Sequence, residues 1–198
     1  MITSKEAFLS LYARASMTVA ELESIEDQFS VELLRKRSES ATIDRIRSDF
    51  YEQFDEAIRT QAASMSSHYE LFYAFENSIR DLVSQVLQAS LGTDWWEEAA
   101  PDEVKQNVQK SIDREKDAAV TARSTEPVDY TTFGELSVII ERNFDSSFGD
   151  IFNSRKGVVS ILSRLNVLRG PIAHCTPLAE DEVMRLNLSL RDWFRLME

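Results

Sequence analysis

The chain has 198 residues, of which 43% are hydrophobic and 28% charged, proportions typical of a soluble protein with one domain or a domain and an appendage. Its formal net charge of −12 excludes a protein that coats nucleic acid by general attraction, and its single cysteine excludes an intrachain disulfide framework. With no secretory signal and no run of roughly 18–20 apolar residues, the chain is predicted to be cytoplasmic and not to contact a membrane.

Residues 1–67 are predicted to form an N-terminal extension of two or three amphipathic helices. Capping-box spacing at Thr3–Glu6 and again at Thr18–Glu21 indicates two helix starts. A later apolar stripe comprises Ile43, Ile46, Phe50, Phe54 and Ile58. The stripe either packs on the rest of the protein or docks a partner.

The rest of the chain, residues 68–198, is predicted to be a second helical domain, which makes the fold class all-α. Its strongest helix is predicted over residues 68–91, with Gly92 as the C-cap. Pro101 then opens a highly charged, exposed helix over residues 102–120, because proline is tolerated in the first turn.

The C-terminal third of the chain is predicted to contain three further helical stretches. Thr132 and Glu135 have capping-box spacing before a helix that includes residues 138–140, a run that also fits a strand. Regularly spaced apolar residues over 158–168 predict the next helix, and the last one is predicted over residues 177–197.

An arginine and a histidine, Arg169 and His174, follow the 158–168 stretch. Histidine gives and takes protons near neutral pH, and the planar arginine fork fits a phosphate. Residues five apart on an unbroken helix point about 140° away from each other. Gly170–Pro171 predicts a kink or restart that turns both side chains into one cleft. Alternatively, Arg169 caps carbonyl groups and His174 is a core histidine with satisfied hydrogen bonds.

Four segments of residues 69–198 resemble the HEPN superfamily, particularly the branch named after a eukaryotic transcript-surveillance endonuclease. They are residues 69–80, 91–96, 130–136 and 165–175. The resemblance covers about two thirds of the chain. It implies a helical bundle that dimerises and, in many members, a ribonuclease that uses no metal.

Carried onto this chain, the resemblance implies that Arg169 and His174 face a cleft at a dimer interface. The family often has asparagine directly after the arginine, where this chain has Gly170; Asn166, one turn earlier, is the candidate substitute. Some family toxins carry a tyrosine two places after the histidine that an antitoxin modifies. Thr176 stands there in this chain, so this mode of control is not predicted.

Acid–base chemistry favours the dimer as well. Cleaving RNA through its 2′-hydroxyl needs a base, an acid for the leaving 5′-oxygen and a cation for the charge on phosphorus. One chain offers one suitably placed histidine, whereas a two-fold dimer offers two. His174 is therefore assigned to proton transfer and Arg169 to clamping the phosphate.

Glu76 and Arg80 lie four residues apart on the 68–91 helix, close enough to pair on one face. They form either a structural ion pair or a polar pair that orients Arg169 or His174, as the resemblance implies.

Other candidate groups are weaker. Trp95–Trp96 fits either stacking of bases or support of the core, His68 is predicted to border a helix, and Cys175 beside His174 lacks the glycine loop of a thiol hydrolase. No metal site and no cofactor are predicted.

The sequence thus predicts a toxin-like endoribonuclease effector of a prokaryotic defence or stress system. RNA is the predicted substrate and a homodimer the predicted state, with an antitoxin or defence-system partner bound through residues 1–67. The alternative is a noncatalytic helical module for dimerisation or nucleotide binding within a larger complex.

Overall fold

Six α-helices account for most of residues 50–198, the part of the chain that the computed structural model describes. They are α1 (Glu56–Leu91), α2 (Trp95–Ala99), α3 (Asp102–Asp117), α4 (Phe133–Arg142), α5 (Arg155–Ala173) and α6 (Glu180–Arg195). Short 3₁₀ helices occupy Tyr51–Gln53 and Pro127–Tyr130, and one π-helical turn occupies Phe144–Phe148. Residues 50–198 contain no strand, so the all-α prediction is confirmed there.

The predictions made for residues 1–49, including both N-terminal capping boxes, lie outside the described residues. Residues 61–198 form a compact unit of their own. The predicted boundary between residues 67 and 68 stays a prediction.

Helix α1 is a full three turns longer than the sequence predicted at its N-terminus. It begins at Glu56, one residue after Asp55, whose carboxylate accepts a hydrogen bond from the Ala57 N–H at 2.8 Å. At the other end Gly92 has a φ of 86°, a left-handed conformation that glycine adopts without strain, which confirms it as the helix stop.

The capping box at the start of α4 is confirmed. The Thr132 hydroxyl accepts from the Glu135 N–H at 3.4 Å, and the Glu135 carboxylate accepts from the Thr132 N–H at 2.9 Å. Two of the N–H groups that the first turn would leave unpaired are satisfied in this way. Residues 138–140 are helical rather than extended.

One apolar core joins the helices of residues 61–198. Its largest fully buried side chains are Ile79, Val83, Leu87, Phe133, Leu136, Ile139, Ile140, Phe148, Phe152, Leu162, Leu165 and Leu186. The end of α3 needs correction, since the helix stops at Asp117. Most of its residues are exposed, as predicted, while Val104 and Val108 are buried in this core. Trp95 is buried and touches Trp96 edge-on, in keeping with a supporting role.

Helices α1 and α4 run in the same direction. Near the start of α4, Phe133 contacts Phe75 of α1 with ring centroids 6.3 Å apart. Just beyond the end of α4, Ser147 lies 3.2 Å from Ser90, near the end of α1.

Helices α4 and α5 run in opposite directions. The Gly134 N–H, in the first turn of α4, donates to Asn166 near the end of α5 at 3.3 Å. Arg155, the first residue of α5, pairs with Asp145 beyond the end of α4. It follows that α1 and α5 are antiparallel, and that the C-terminal end of α5 lies at the same end of the bundle as the residues of α1 that precede Phe75.

Candidate functional site

The predicted interruption at Gly170–Pro171 is absent, because α5 continues through both residues and ends at Ala173. The N–H of Thr176 donates to the Pro171 carbonyl at 2.8 Å, and the N–H of Cys175 donates to the Ile172 carbonyl at 3.3 Å. This pair of bonds is a Schellman motif, which ends a helix with one residue in the left-handed conformation. Cys175 is that residue, with a φ of 54°.

This helix end fixes the backbone of His174, the C-cap residue of α5. Arg169 is still helical, whereas His174 has already left the helical conformation, with a φ of −103° and a ψ of 16°. Helix termination, rather than a kink, therefore separates the two residues.

Glu76 lies between two guanidinium groups. Its carboxylate accepts a short ion-paired hydrogen bond from Arg80, and its second oxygen lies 3.4 Å from Nε of Arg169. The Glu76–Arg80 pair is thus in direct contact with Arg169, and the contact is made through Glu76. We call these three residues the Arg–Glu–Arg cluster; two guanidiniums and one carboxylate leave it with a net positive charge.

Arg80 anchors the cluster to the rest of the bundle. It donates to the backbone carbonyl of Thr131 at 2.7 Å and to the Asn77 side chain at 3.1 Å, while its Nε is buried without a hydrogen-bond partner in the described residues. No side-chain pattern predicts the contribution of Thr131, since it acts through its backbone carbonyl.

Exposure distinguishes the two arginines. The side chains of Arg80 and Glu76 are 12% and 11% exposed, whereas that of Arg169 is 41% exposed. Arg169 is consequently the member of the cluster that is open to an incoming anion. Its partner is a carboxylate rather than the carbonyl groups of the alternative interpretation.

His174 is exposed, which contradicts the alternative of a core histidine. Within residues 50–198 its ring takes part in no hydrogen bond or ion pair. An imidazole in that position can exchange protons with a bound molecule.

Asn166, the candidate substitute for the family's asparagine, contacts the start of α4. Its side-chain oxygen accepts the N–H of Gly134, one of the unpaired donors in the first turn of α4. A role for Asn166 toward Arg169 or His174 stays a prediction.

Other predicted features are placed as follows. His68 lies within α1 and is half-buried, and Cys175 is exposed. No group of three or more His, Cys, Asp or Glu residues in the range 50–198 is arranged to hold a metal ion. None of the helices in that range is both long and apolar enough to cross a membrane.

Comparison with known families gives one match. The model of the family described as Swt1-like HEPN matches residues 70–198, about two thirds of the chain, and the match contains all three residues of the Arg–Glu–Arg cluster as well as His174. No curated protein and no solved structure matches the chain.

Proposed function

Because this chain belongs to the Swt1-like HEPN family, its residues 70–198 being an all-helical HEPN bundle, we propose that it is an endoribonuclease that works without a metal ion. The observation that carries the proposal is that the last turns of α5 present a half-exposed guanidinium, Arg169, and an exposed imidazole, His174. Proton transfer and anion binding are the two functions that RNA cleavage through the 2′-hydroxyl demands.

Arg169 is the phosphate clamp in this proposal. Its contact with Glu76 restrains the guanidinium before RNA arrives, and a prepositioned cation loses less conformational entropy when it binds. Glu76 and Arg80 are positioning residues, since both are largely buried and act on the substrate through Arg169.

His174 transfers the proton. As a base it takes the proton of the 2′-hydroxyl, whose oxygen attacks phosphorus; the bond from phosphorus to the 5′-oxygen breaks, and that oxygen takes a proton from an acid. The products are a 2′,3′-cyclic phosphate and a 5′-hydroxyl. A homodimer supplies the second imidazole as this acid, so both protomers contribute to one cleft.

The cellular role in this proposal is that of a toxin-like effector in prokaryotic defence or stress response, acting in the cytoplasm. Residues 1–67 serve as the extension that binds an antitoxin or another defence-system partner, and residues 68–198 carry the activity.

Cleavage of a labelled single-stranded RNA by the full chain in excess chelator tests the proposal. We expect His174→Ala to reduce the rate about 10²- to 10⁴-fold, the usual contribution of general acid–base catalysis. His68→Ala is the matched control, because His68 is the other histidine of the chain and lies within α1. A 2′-deoxy substitution at the cleaved position should block the reaction.

Two results would contradict these assignments. Equal rates for the His174→Ala variant and the wild-type protein would remove His174 from the chemistry. If the wild-type protein cleaves no RNA with or without divalent metal ions, the noncatalytic module for dimerisation or nucleotide binding becomes the better account.

A further inference from the structure

Two neighbouring tyrosines on α1 are unusually exposed. Tyr69 is 58% and Tyr73 61% exposed, although their rings contact each other with centroids 6.1 Å apart and an interplanar angle of 36°. Tyrosine in folded proteins is usually only partly exposed, so two such rings in contact form a distinct aromatic surface. We call Tyr69 and Tyr73 the tyrosine pair.

The tyrosine pair lies in line with the Arg–Glu–Arg cluster. At about 100° per residue, Tyr69, Tyr73, Glu76 and Arg80 fall within about 60° of arc on α1. This strip borders the buried face of the helix, and Arg169 of α5 reaches it at Glu76. The rings therefore continue the strip on which the phosphate clamp is held.

The course of α1 and α5 places the tyrosine pair on the side of Glu76 toward which α5 ends. Arg169 contacts Glu76, and the two helices are antiparallel. The residues of α5 that follow Arg169, His174 among them, therefore lie toward the part of α1 that precedes Glu76 and carries Tyr69 and Tyr73.

We propose that the tyrosine pair is a stacking surface for unpaired RNA bases next to the phosphate held by Arg169. This inference rests on the proposed function and specifies its substrate as single-stranded RNA. Every base has a flat face, so stacking on tyrosine is tolerant of sequence and requires bases that are not paired in a duplex.

The position of the rings beside a local positive charge favours RNA over a second copy of the chain as the occupant. A protein with a net charge of −12 gains little from general attraction to a polyanion, so its binding energy has to come from non-ionic contacts close to a local positive charge. The tyrosine pair supplies such contacts directly beside the net positive Arg–Glu–Arg cluster. A contact between copies would not require the rings to be aligned with that cluster.

The test measures binding of a fluorescent single-stranded RNA to the full chain, in a His174→Ala background so that no RNA is cut. We expect the double substitution Tyr69→Ala and Tyr73→Ala to weaken binding at least about fivefold, the lower end of the stacking range. The Phe double substitution should keep the affinity because it keeps the rings. Phe194→Ala is the matched control, since Phe194 is an exposed aromatic residue near the end of α6, where the Leu196 carbonyl accepts from the Asn153 N–H just before α5 begins.

Salt dependence and substrate analogues separate stacking from other effects. The double tyrosine-to-alanine variant should keep the wild-type slope of log affinity against log salt concentration. Arg169→Ala should reduce the magnitude of that slope by about 0.7, because it removes one phosphate contact. RNA with abasic positions should bind more weakly than ordinary RNA to the protein that keeps both tyrosines. Replacing the two tyrosines with alanine should not weaken the binding of abasic RNA any further. This comparison leaves the tyrosines intact and remains decisive if the double variant folds poorly.

Three outcomes overturn the inference: equal RNA affinity with and without the rings, equal affinity for abasic and ordinary RNA, or loss of self-association on sedimentation of the alanine variant. The last result would make the tyrosine pair a contact between copies. Cleavage by the wild-type protein is scored separately, so a protein that cuts RNA without using the rings refutes only this inference. A protein that stacks RNA without cutting it refutes only the proposed function.

Discussion

Glu76 is the residue on which the candidate site depends, because its buried carboxylate joins an arginine of the interior to an arginine of the surface. A largely buried charge that loses its partner is strongly destabilising, whereas an exposed ion pair contributes about 0–1 kcal/mol. The two arginines should therefore differ in what their removal does.

Replacing the interior arginine should cost much more stability than replacing the surface one. We expect Arg80→Ala to lower the free energy of unfolding by about 2–4 kcal/mol, because it leaves the buried Glu76 with only its 3.4 Å contact to Arg169 and the Thr131 carbonyl without its donor. Arg169→Ala should lower it by about 1 kcal/mol or less. Urea unfolding at neutral pH measures both, and equal losses would contradict a role for Arg80 as the anchor.

At the scale of elements, two helices end in the same way, each with an ordinary side chain in a conformation suited to glycine. Helix α3 ends with Ala119 at a φ of 51°, and the N–H groups of Ala119 and Val120 donate to carbonyls of the last turn. Helix α5 ends with Cys175 at a φ of 54°. A side chain in the left-handed region costs roughly 1–2 kcal/mol. Glycine removes that cost, but its greater freedom in the unfolded chain offsets part of the gain in stability.

Glycine at either position should stabilise the fold. We expect Cys175→Gly and Ala119→Gly each to raise the free energy of unfolding by about 0.5–1 kcal/mol. Cys175→Ala serves as the control, because it changes the side chain without relieving the backbone. A Cys175→Gly variant no more stable than Cys175→Ala on thermal unfolding would show that this helix end is not strained.

Glu115 links the end of α3 to the segment that follows it. Its carboxylate accepts hydrogen bonds from the Arg123 side chain at 2.6 Å and from the Tyr130 hydroxyl at 3.1 Å. Partial desolvation raises the pKa of Glu115, but the hydrogen bonds from Arg123 and Tyr130 outweigh it and hold the pKa below the ordinary value of 4.5.

This lowered pKa makes one contribution to stability dependent on acid. The carboxylate of the folded chain resists protonation more than that of the unfolded chain, so the contribution is present above about pH 4.5 and is lost as the pH falls through the lower, folded-state pKa. We expect Glu115→Gln to destabilise the protein near neutral pH and to have little effect in strong acid. A difference in unfolding free energy that does not vary with pH would contradict this assignment.

At the scale of the whole molecule, the chemistry predicts that a single cleft draws on two chains. Mixing wild-type protein with the His174→Ala variant, under conditions that exchange protomers, tests this directly. If one active dimer needs both histidines, an equimolar mixture should retain about one quarter of the activity of the same total amount of wild-type protein. Random pairing makes about one quarter of the dimers fully wild-type. Retention of about half would mean that each chain acts alone.

Much of the fold follows from local rules that a single sequence contains. The Thr132–Glu135 capping box and the Gly92 helix stop both depend on residues within one turn of each other, and both predictions are confirmed. The pairing of Glu76 with Arg80 is equally local, because four residues form one turn of a helix.

The rest depends on neighbours that are remote in the chain. Periodicity does not predict the early start of α1, because Met65 is the only large apolar residue among residues 60–67 and the segment shows no apolar period. Packing between distant segments buries Val104 and Val108. It also brings Arg80 to the carbonyl of Thr131. Pro171 deprives the Val167 carbonyl of its helical N–H donor without ending α5, because the helical pattern resumes after it and the His174 N–H donates to the Gly170 carbonyl at 3.0 Å.

The helix end at Cys175 also offers a practical opportunity. The chain has a single sulfhydryl group, which is exposed and adjacent in sequence to His174, the candidate residue for proton transfer. A maleimide dye would therefore attach at one known place in the natural protein, without engineering. Its emission would report directly on the arrival of nucleic acid, on displacement by a competing ligand, and on the approach of a second labelled chain.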